Sequence, residues 1–254
     1  VGFVPGTDKK DEYLVVSGHY DHLGKKGDVI WYGADDDGSG TTGVLEIAEA
    51  FVKAKAAGKG PRRSIVFMTV SGEEKGLWGS NYFCKNPTID LSTVNCMMNM
   101  DMVGRLNAER ALSISGTGTS PNFEKWLTSN NKSNFKLIFD KSGIGPSDHS
   151  SFYNMNIPVL HFFTGQHSDY HKPSDDFDKI NYDGLNDVVS FMYAMCVEMN
   201  NNLKLEFTKT VDPKPTSSSF KVTLGVMPDY MFSGEGMRID GVKENRPAAL
   251  AGLK

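Results

Sequence analysis

The sequence predicts an α/β fold with a mostly parallel mixed central sheet and helices on both faces. Short, almost wholly apolar runs recur along residues 1–200, as is typical of strands buried on both faces. Stretches with apolar residues at helical spacing separate these runs, and such alternation of strand and helix favours a parallel sheet. A change of composition after residue 202 then marks off a smaller, β-rich C-terminal segment.

Six apolar runs are predicted as strands of the sheet, at 13–19, 64–70, 94–100, 112–115, 136–139 and 158–163. Four amphipathic stretches are predicted as helices, at 42–55, 77–85, 123–128 and 182–199. The first helix is expected to end before Gly58 and the second before Pro87, because glycine and proline interrupt helices.

The composition change predicts a domain at 1–202, a linker at 203–219 and a second module at 220–254. Lys, Pro and Ser dominate residues 212–219, which is typical of a linker. The module is predicted to contain strands at 220–226 and 237–242 and the start of a helix at 247–251. Val1 is not a start methionine, and the last residues read as a helix leading into a turn, so we expect this chain to be part of a longer protein.

Composition excludes several classes of protein. The 254 residues carry 27 basic and 31 acidic side chains, and a net charge of −4 argues against a nucleic-acid binder that neutralises phosphates. No apolar run approaches the roughly 20 residues needed to cross a bilayer. The three cysteines cannot build a disulfide framework and lack zinc-finger spacing, so they are predicted to be small buried side chains, with a single bridge as the alternative.

Acidic and imidazole side chains follow the predicted strands or lie in the loop before the first helix. The segments are His19 with Asp21, Asp35 to Asp37, Glu73 with Glu74, Asp101, and His167 with Asp169 and His171. Sites in parallel sheets lie at the carboxyl ends of the strands, so these five segments are expected to meet at one edge.

So many carboxylates in one cleft would repel each other strongly. Either some of them are protonated or cations hold them together, and two zinc ions are a natural solution because imidazole nitrogen and carboxylate oxygen are both zinc ligands. Three ligand carboxylates and one hydroxide would also balance two divalent charges. The sequence therefore predicts a metal site.

The motifs in these segments resemble peptidase family M28, whose aminopeptidases carry two co-catalytic metals. The matching stretches, in the order of the family, are SGHYDH at 17–22, GADDDGSG at 33–40, SGEEKGLWGS at 71–80, NMDMVG at 99–104 and YH at 170–171. The resemblance covers residues 1–200 and implies a zinc exopeptidase-like fold, with residues 1–202 as a metallopeptidase catalytic domain that acts on peptides. Residues 220–254 resemble, less specifically, the first part of a PDZ domain.

The resemblance also implies a set of ligands for two divalent metal ions, most naturally Zn²⁺. One metal is placed on Asp36, Glu74 and His171, and the other on Asp36, His19 and Asp101, so that Asp36 bridges them. The family further implies a cis peptide bond between Asp36 and Asp37.

Three further residues are assigned roles in catalysis. Glu73 is expected to be the general base, because adjacent side chains diverge and it cannot easily share a metal with Glu74. Asp21 is expected to hydrogen-bond the far ring nitrogen of His19 and so fix its tautomer. Tyr170 resembles the family tyrosine that donates a hydrogen bond to the developing oxyanion.

Aminopeptidase is the leading hypothesis, because the free amine of a substrate would be attracted by the carboxylates around Glu73 and Asp101. A carboxypeptidase stays open, since Arg105 follows a ligand segment and could clamp a terminal carboxylate. Glutaminyl cyclases share this fold with a single zinc, but the retention of His19 and Asp101 favours two metals. A non-enzymatic peptide-binding ectodomain is the remaining alternative.

A serine triad at Ser147, Asp148 and His149 is disfavoured, because adjacent residues rarely face each other and no Gly-x-Ser-x-Gly motif occurs. Asp148 is interpreted as a helix N-cap or a wall of the site. The other histidines, His22, His149, His161 and His167, are interpreted as packing or rim residues. Residues 24–32 are expected to form a wall of the cleft. By resemblance alone the protein is expected to be exported, to the periplasm, the cell surface or the medium.

Overall fold

The computed structural model describes residues 1–210, 224–228, 236, 239–242 and 246–253. In chain order, the described strands are β1 (Gly2–Val4), β2 (Lys9–His19), β3 (Gly24–Lys26), β4 (Val29–Trp31), β5 (Arg63–Val70), β6 (Val94–Met100), β7 (Ala111–Ser115), β8 (Lys136–Phe139), β9 (Val159–Phe163), β10 (Val226–Pro228) and β11 (Ile239–Val242). The α-helices are α1 (Gly40–Ala56), α2 (Trp78–Lys85), α3 (Phe123–Asn130), α4 (His149–Tyr153), α5 (Tyr182–Asn201) and α6 (Pro247–Leu250).

Seven strands form the central sheet, in the order β1-β5-β2-β6-β9-β7-β8. The four strands β5, β2, β6 and β9 run parallel to one another, and β7 runs parallel to β8. The edge strand β1 is antiparallel to β5, and β7 is antiparallel to β9. The predicted mostly parallel mixed sheet is therefore confirmed.

Alternate residues of the central strands face two separate cores. Leu14 and Val16 of β2 pack in the larger core with buried side chains of α1 and α5, such as Ile47 and Met192. Val15, between them, packs in the smaller core on the other face, with side chains of α2 and α4. Strands covered on both faces are apolar at most positions, which is why they give nearly continuous apolar runs in the sequence. The predicted helices on both faces are thus confirmed.

The segment that follows α5 returns across the body of the protein. Leu205 is buried, and its backbone N–H donates to Asn95 Oδ1 at 2.6 Å. Further on, the N–H of Thr208 donates to the carbonyl of Thr119 at 2.8 Å, and Thr210 Oγ1 accepts from the N–H of Gly143 at 3.1 Å. Residues 203–210 are therefore packed against the first 200 residues.

The C-terminal segment is described only in part. Strands β10 and β11 pair antiparallel, and α6 begins at Pro247, where a helix start was predicted. Most of the predicted strand at 220–226 and of the linker lies outside the described residues, and the PDZ-like assignment stays a prediction. No described helix combines the length and the apolar character that a membrane span requires. The three cysteines are free and buried, as predicted.

Candidate metal centre

The carboxyl ends of the parallel strands bring the predicted segments to one edge of the sheet. His19 is the last residue of β2, and Asp101 directly follows β6. Glu74 lies in a short 3₁₀ turn after β5, and Asp36 lies in the loop before α1. His171 comes from the long connection between β9 and α5. The side chains meet in two adjoining groups that share Asp36.

We call the first group the strand-side position, formed by His19, Asp36 and Asp101. His19 Nε2 lies 3.3 Å from Asp36 Oδ1 and 3.6 Å from Asp101 Oδ1. The His19 side chain is only 1 % exposed. Ser147 orients this position from behind, because its hydroxyl donates to the other oxygen of Asp101, Oδ2, at 2.7 Å.

We call the second group the loop-side position, formed by Asp36, Glu74 and His171. His171 Nε2 lies 3.2 Å from Asp36 Oδ2 and 3.0 Å from Glu74 Oε2. The His171 side chain is 32 % exposed, and its ring stacks on that of Tyr170 with 3.8 Å between centroids. His22 also reaches this group, with Nδ1 2.9 Å from Glu74 Oε1.

The donor set fits zinc. Among the described residues, buried His19 Nε2, Asp36 Oδ2 and Glu74 Oε1 have no hydrogen-bond partner, although complementary atoms lie nearby. Leaving such groups unsatisfied costs about 1–3 kcal/mol each, so the arrangement calls for a cation. Imidazole nitrogen and carboxylate oxygen bind zinc at about 2.0–2.2 Å, and two donors on one ion then lie about 3–3.5 Å apart. The separations in both groups agree with this.

The three consecutive aspartates have different roles. Asp37 is turned to the backbone, where its carboxylate accepts from the N–H groups of His19 at 3.0 Å and Gly40 at 2.9 Å. Asp35 accepts from the N–H of Gly104 at 2.6 Å. Only Asp36 of the three joins both groups, and the peptide bond that follows it is cis, as the resemblance implied.

The loop that carries His171 is fastened to the loop that carries Asp36. Asp175, which is fully buried, accepts from the N–H groups of Asp35 and Asp36 at 3.0 and 3.1 Å. Arg105 Nη2 bonds Asp169 Oδ2 at 3.1 Å, within the same loop as His171. These contacts were not found from the sequence, because they join segments far apart in the chain and no local pattern signals them.

The expected role of Asp21 needs a correction. Its carboxylate Oδ1 lies 3.7 Å from His19 Nδ1, beyond hydrogen-bond distance, whereas its backbone carbonyl lies 3.0 Å from that nitrogen. The carboxylate instead accepts from the backbone N–H of Glu73 at 3.2 Å. A carbonyl is acceptor-only, so it still requires a proton on Nδ1 and leaves Nε2 free for a ligand role. The side chain of Asp21 positions Glu73 rather than His19.

The two adjacent glutamates have opposite electrostatic settings. Burial raises the pKa of Glu73 to about 9, and the Asp101 carboxylate adds to the effect. Burial also acts on Glu74, but the imidazoles of His171 and His22 outweigh it and hold the pKa of that carboxyl at about 2. Neighbouring groups with separated pKa values are typical of an active site, so the pair supports different roles for the two carboxyls.

The side chains of the three residues of the disfavoured serine triad contact other residues and not one another. Ser147 bonds Asp101, as described, and Asp148 accepts from Ser80 Oγ at 2.5 Å. Asp148 occupies the N-cap position of α4 without capping it by its side chain, and burial raises its pKa to about 6. His149 stacks on His161 with 4.5 Å between ring centroids. The three side chains thus have separate partners.

A cavity of about 670 Å³ opens onto the two groups. Its described acidic lining residues are Asp36, Glu73, Glu74, Asp101 and Asp140. Lys141 is the one lysine or arginine among the described lining residues, so the cavity favours a cationic ligand. Tyr170 also lines the cavity, where burial and the surrounding carboxylates raise its pKa. Residues 24–32, expected as a cleft wall, form the β3–β4 hairpin and contribute nothing to this described lining.

Comparison with known proteins gives a consistent picture. The model of peptidase family M28 matches residues 1–196. A probable zinc metalloprotease of Leptosphaeria maculans is 34 % identical over 115 residues, which is 43 % of this chain and 25 % of the relative. A probable leucine aminopeptidase of Arthroderma otae is 28 % identical over 166 residues, which is 63 % of this chain and 44 % of the relative.

Among solved structures, a zinc aminopeptidase from Bacillus subtilis superposes with a TM-score of 0.66 at 26 % identity. The match covers 78 % of this chain and 48 % of that protein. The chain therefore spans between a quarter and a half of the length of these three proteins.

Proposed function

We propose that this chain, which belongs to peptidase family M28, is the catalytic part of a zinc-dependent aminopeptidase that releases N-terminal residues from peptides. The observation that carries the proposal is the pair of adjoining imidazole and carboxylate groups, joined by Asp36, at the floor of an acidic cavity. The zinc aminopeptidase of Bacillus subtilis and the probable leucine aminopeptidase of Arthroderma otae support it.

Five side chains are proposed to hold two zinc ions: His19, Asp36 and Asp101 at the strand-side position, and Asp36, Glu74 and His171 at the loop-side position. Bound there, zinc would supply Lewis acidity toward the scissile carbonyl and the attacking water, and positive charge that favours the ionised form of Glu73.

Glu73 is proposed as the general base. Its carboxylate accepts a proton from the attacking water and later delivers that proton to the leaving amine, which is worth about 10²–10⁴-fold in rate. Glu73 lines the cavity beside both groups, and its backbone N–H is held by the Asp21 carboxylate at 3.2 Å. The Tyr170 hydroxyl, kept neutral by its raised pKa, is proposed to donate a hydrogen bond to the developing oxyanion.

The surroundings of Arg105 favour an aminopeptidase over a carboxypeptidase. Its guanidinium lies 3.1 Å from Asp169 and 4.0 Å from Asp175, so two carboxylates of the protein already neutralise the charge that a substrate carboxylate would need. The acidic lining of the cavity instead attracts the free amine of a substrate. A glutaminyl cyclase with a single zinc is disfavoured, because His19 and Asp101 are both present and lie with Asp36 in one group of potential ligands.

The test uses aminoacyl p-nitroanilides with a free amine and their N-acetylated counterparts. We expect the free-amine substrates to be hydrolysed and the acetylated ones to be spared, with activity lost to a chelator and restored by zinc. Dipeptides blocked at the C-terminus should also be cleaved, whereas a carboxypeptidase would reject them. Equal hydrolysis of acetylated and free substrates, or full activity in chelator, would overturn the proposal.

From the composition change we also propose that residues 203–219 link a domain at 1–202 to a second module beginning at residue 220. From the resemblance we propose that the first is the catalytic domain, that the second is PDZ-like, and that the protein is exported. Antiparallel pairing of β10 with β11 and the helix at Pro247 are compatible with the second module. Expression of the chain extended at its C-terminus, followed by binding of free C-terminal peptides, tests the PDZ-like assignment.

A further inference from the structure

We infer that His22 is an additional ligand of the cation held by Asp36 and Glu74, so that the loop-side position has two imidazoles rather than one. This inference rests on the proposed function, in which zinc occupies that position. The family motif assigns His171 there, whereas His22 stands outside the five residues that the resemblance supplies.

Burial is the first observation that singles out His22. Its side chain is only 8 % exposed, and neither ring nitrogen has a hydrogen-bond partner among the described residues. A buried imidazole without partners is costly, so its orientation needs a reason. Nδ1 is directed to the loop-side position, 2.9 Å from Glu74 Oε1 and 3.8 Å from Asp36 Oδ2.

The relation of His22 to Glu74 is close without being a hydrogen bond. Nδ1 and Oε1 are near enough for one, yet both are among the buried atoms that no hydrogen bond of good geometry satisfies. His19 Nε2, a proposed ligand of the strand-side position, shows the same combination of short distances to carboxylate oxygens and no hydrogen bond. In both cases the atoms lie side by side, as donors to a common cation do.

The backbone holds the ring of His22 in this place. Gly33 has φ +61°, and a Cβ atom on it would lie 2.5 Å from His22 Cγ, so only glycine lets the ring pack there. On its other side, His22 meets the ring of His171 edge-on, with 5.7 Å between centroids. The two imidazoles therefore approach the Asp36 and Glu74 carboxylates together, His22 at Oε1 and His171 at Oε2 of Glu74.

The ring nitrogens can be observed directly in the full 254-residue chain labelled with ¹⁵N-histidine. Long-range ¹H–¹⁵N spectra are recorded while zinc is added to the metal-free protein, with His22→Asn and His171→Asn variants to assign the signals. We expect His22 Nδ1 to shift to the range of zinc-bound imidazole nitrogen at the same zinc equivalent as His171 Nε2. The signals of His149, which is not a proposed ligand, serve as the internal control.

A proton on His22 Nδ1 in the zinc-loaded protein, seen as a one-bond coupling, would overturn the inference, because Nδ1 would then be a hydrogen-bond donor to Glu74. An unshifted signal would overturn it equally. If His22→Asn fails to fold, the wild-type spectrum still decides through the tautomer, with single Asn variants of the other five histidines, His19, His149, His161, His167 and His171, completing the assignment by elimination.

Zinc affinity gives a second readout. The His22→Asn variant is expected to bind its loop-side zinc more weakly in competition with a chromogenic chelator, by at least the roughly 10–100-fold that loss of an outer-shell partner costs, with the strand-side zinc unchanged. Neither measurement uses peptide hydrolysis. A protein that binds zinc through His22 but cleaves no aminoacyl substrate would refute the proposed function and leave this inference standing. Conversely, a zinc-dependent aminopeptidase whose His22 does not bind zinc would refute this inference and leave the proposed function standing.

Discussion

The strand-side and loop-side positions share Asp36 but are built in different ways. The strand-side residues His19 and Asp101 sit at the ends of neighbouring parallel strands, where His19 pairs with Val70 of β5 and the N–H of Asp101 donates to the carbonyl of Phe162. The loop-side residues Glu74 and His171 come from a 3₁₀ turn and a long connection, and His171 is 32 % exposed against 1 % for His19. The comparison teaches that the sheet organises one half of the centre, whereas contacts between loops organise the other.

Replacing Asp36, which the two positions share, should disrupt both of them. We expect Asp36→Asn to bind neither zinc ion tightly and to lose activity to background, because both positions lose a charged donor. Zinc content after gel filtration and hydrolysis of a free-amine substrate measure the effect. Asp28→Asn, on the exposed β3–β4 hairpin, is the matched control and should behave as wild type. Two retained zinc ions in the Asp36 variant would contradict the bridging role.

Changing Glu73 should stop catalysis while leaving both positions intact. Glu73→Gln keeps the shape of the side chain but cannot accept a proton, so kcat is expected to fall by about 10²–10⁴-fold. Zinc content should stay at the wild-type value, since Glu73 is not a proposed ligand. Near-normal turnover of this variant would refute the general-base assignment.

Removing the Asp175 carboxylate, which joins the loop of His171 to the loop of Asp36, should lower the zinc affinity of the loop-side position more than that of the strand-side one. In Asp175→Ala, the buried N–H groups of Asp35 and Asp36 lose their acceptor, at about 1–3 kcal/mol each in the free energy of unfolding. Urea unfolding and a two-step zinc titration measure the two effects. Asp178→Ala, an exposed neighbour in the same loop, is the control. An equal loss of zinc affinity at both positions would contradict the conclusion that the two positions are organised by different parts of the fold.

The smallest effect is expected in the wild-type protein, as a difference between the rates at which a chelator removes the two zinc ions. The loop-side zinc is expected to leave several-fold faster than the strand-side zinc, because His171 is accessible to solvent and His19 is not. Release is followed with a zinc-sensitive dye after mixing with excess chelator, alongside residual activity. A single phase that accounts for both ions would show that they leave together, and the comparison would then fail.

Much of the sheet was predictable because its central strands are covered on both faces and leave continuous apolar runs in the sequence. The bounds of β6 and β8 agree with the prediction, and β2 differs only in starting earlier, at Lys9. The edge strand β1 was missed, because three residues on an edge carry no periodicity. The hairpin β3–β4 was missed for the same reason of length, and the five-residue helix α4 was foreseen only through the interpretation of Asp148 as an N-cap.

The five proposed ligands were predictable because each follows a strand or belongs to a motif that the family shares. The role of His22 was not, since a histidine at the fourth position of HYDH reads as a rim residue until its burial is known. The carboxylate of Asp21 was assigned to His19 as the partner that fixes the tautomer of a ligand, yet it bonds a backbone N–H 52 residues away. Such pairings depend on how loops cross, which a single sequence does not encode locally.

The return of residues 203–210 across the body has a consequence for substrate selection. Thr210 holds the N–H of Gly143, which lies between Ser142 and Ile144 in the wall of the cavity. A chain shortened to residue 202 would keep every proposed ligand and the base, yet this wall would lose an anchor. Such a truncated enzyme is expected to retain its metals while its discrimination among side chains of the released residue relaxes.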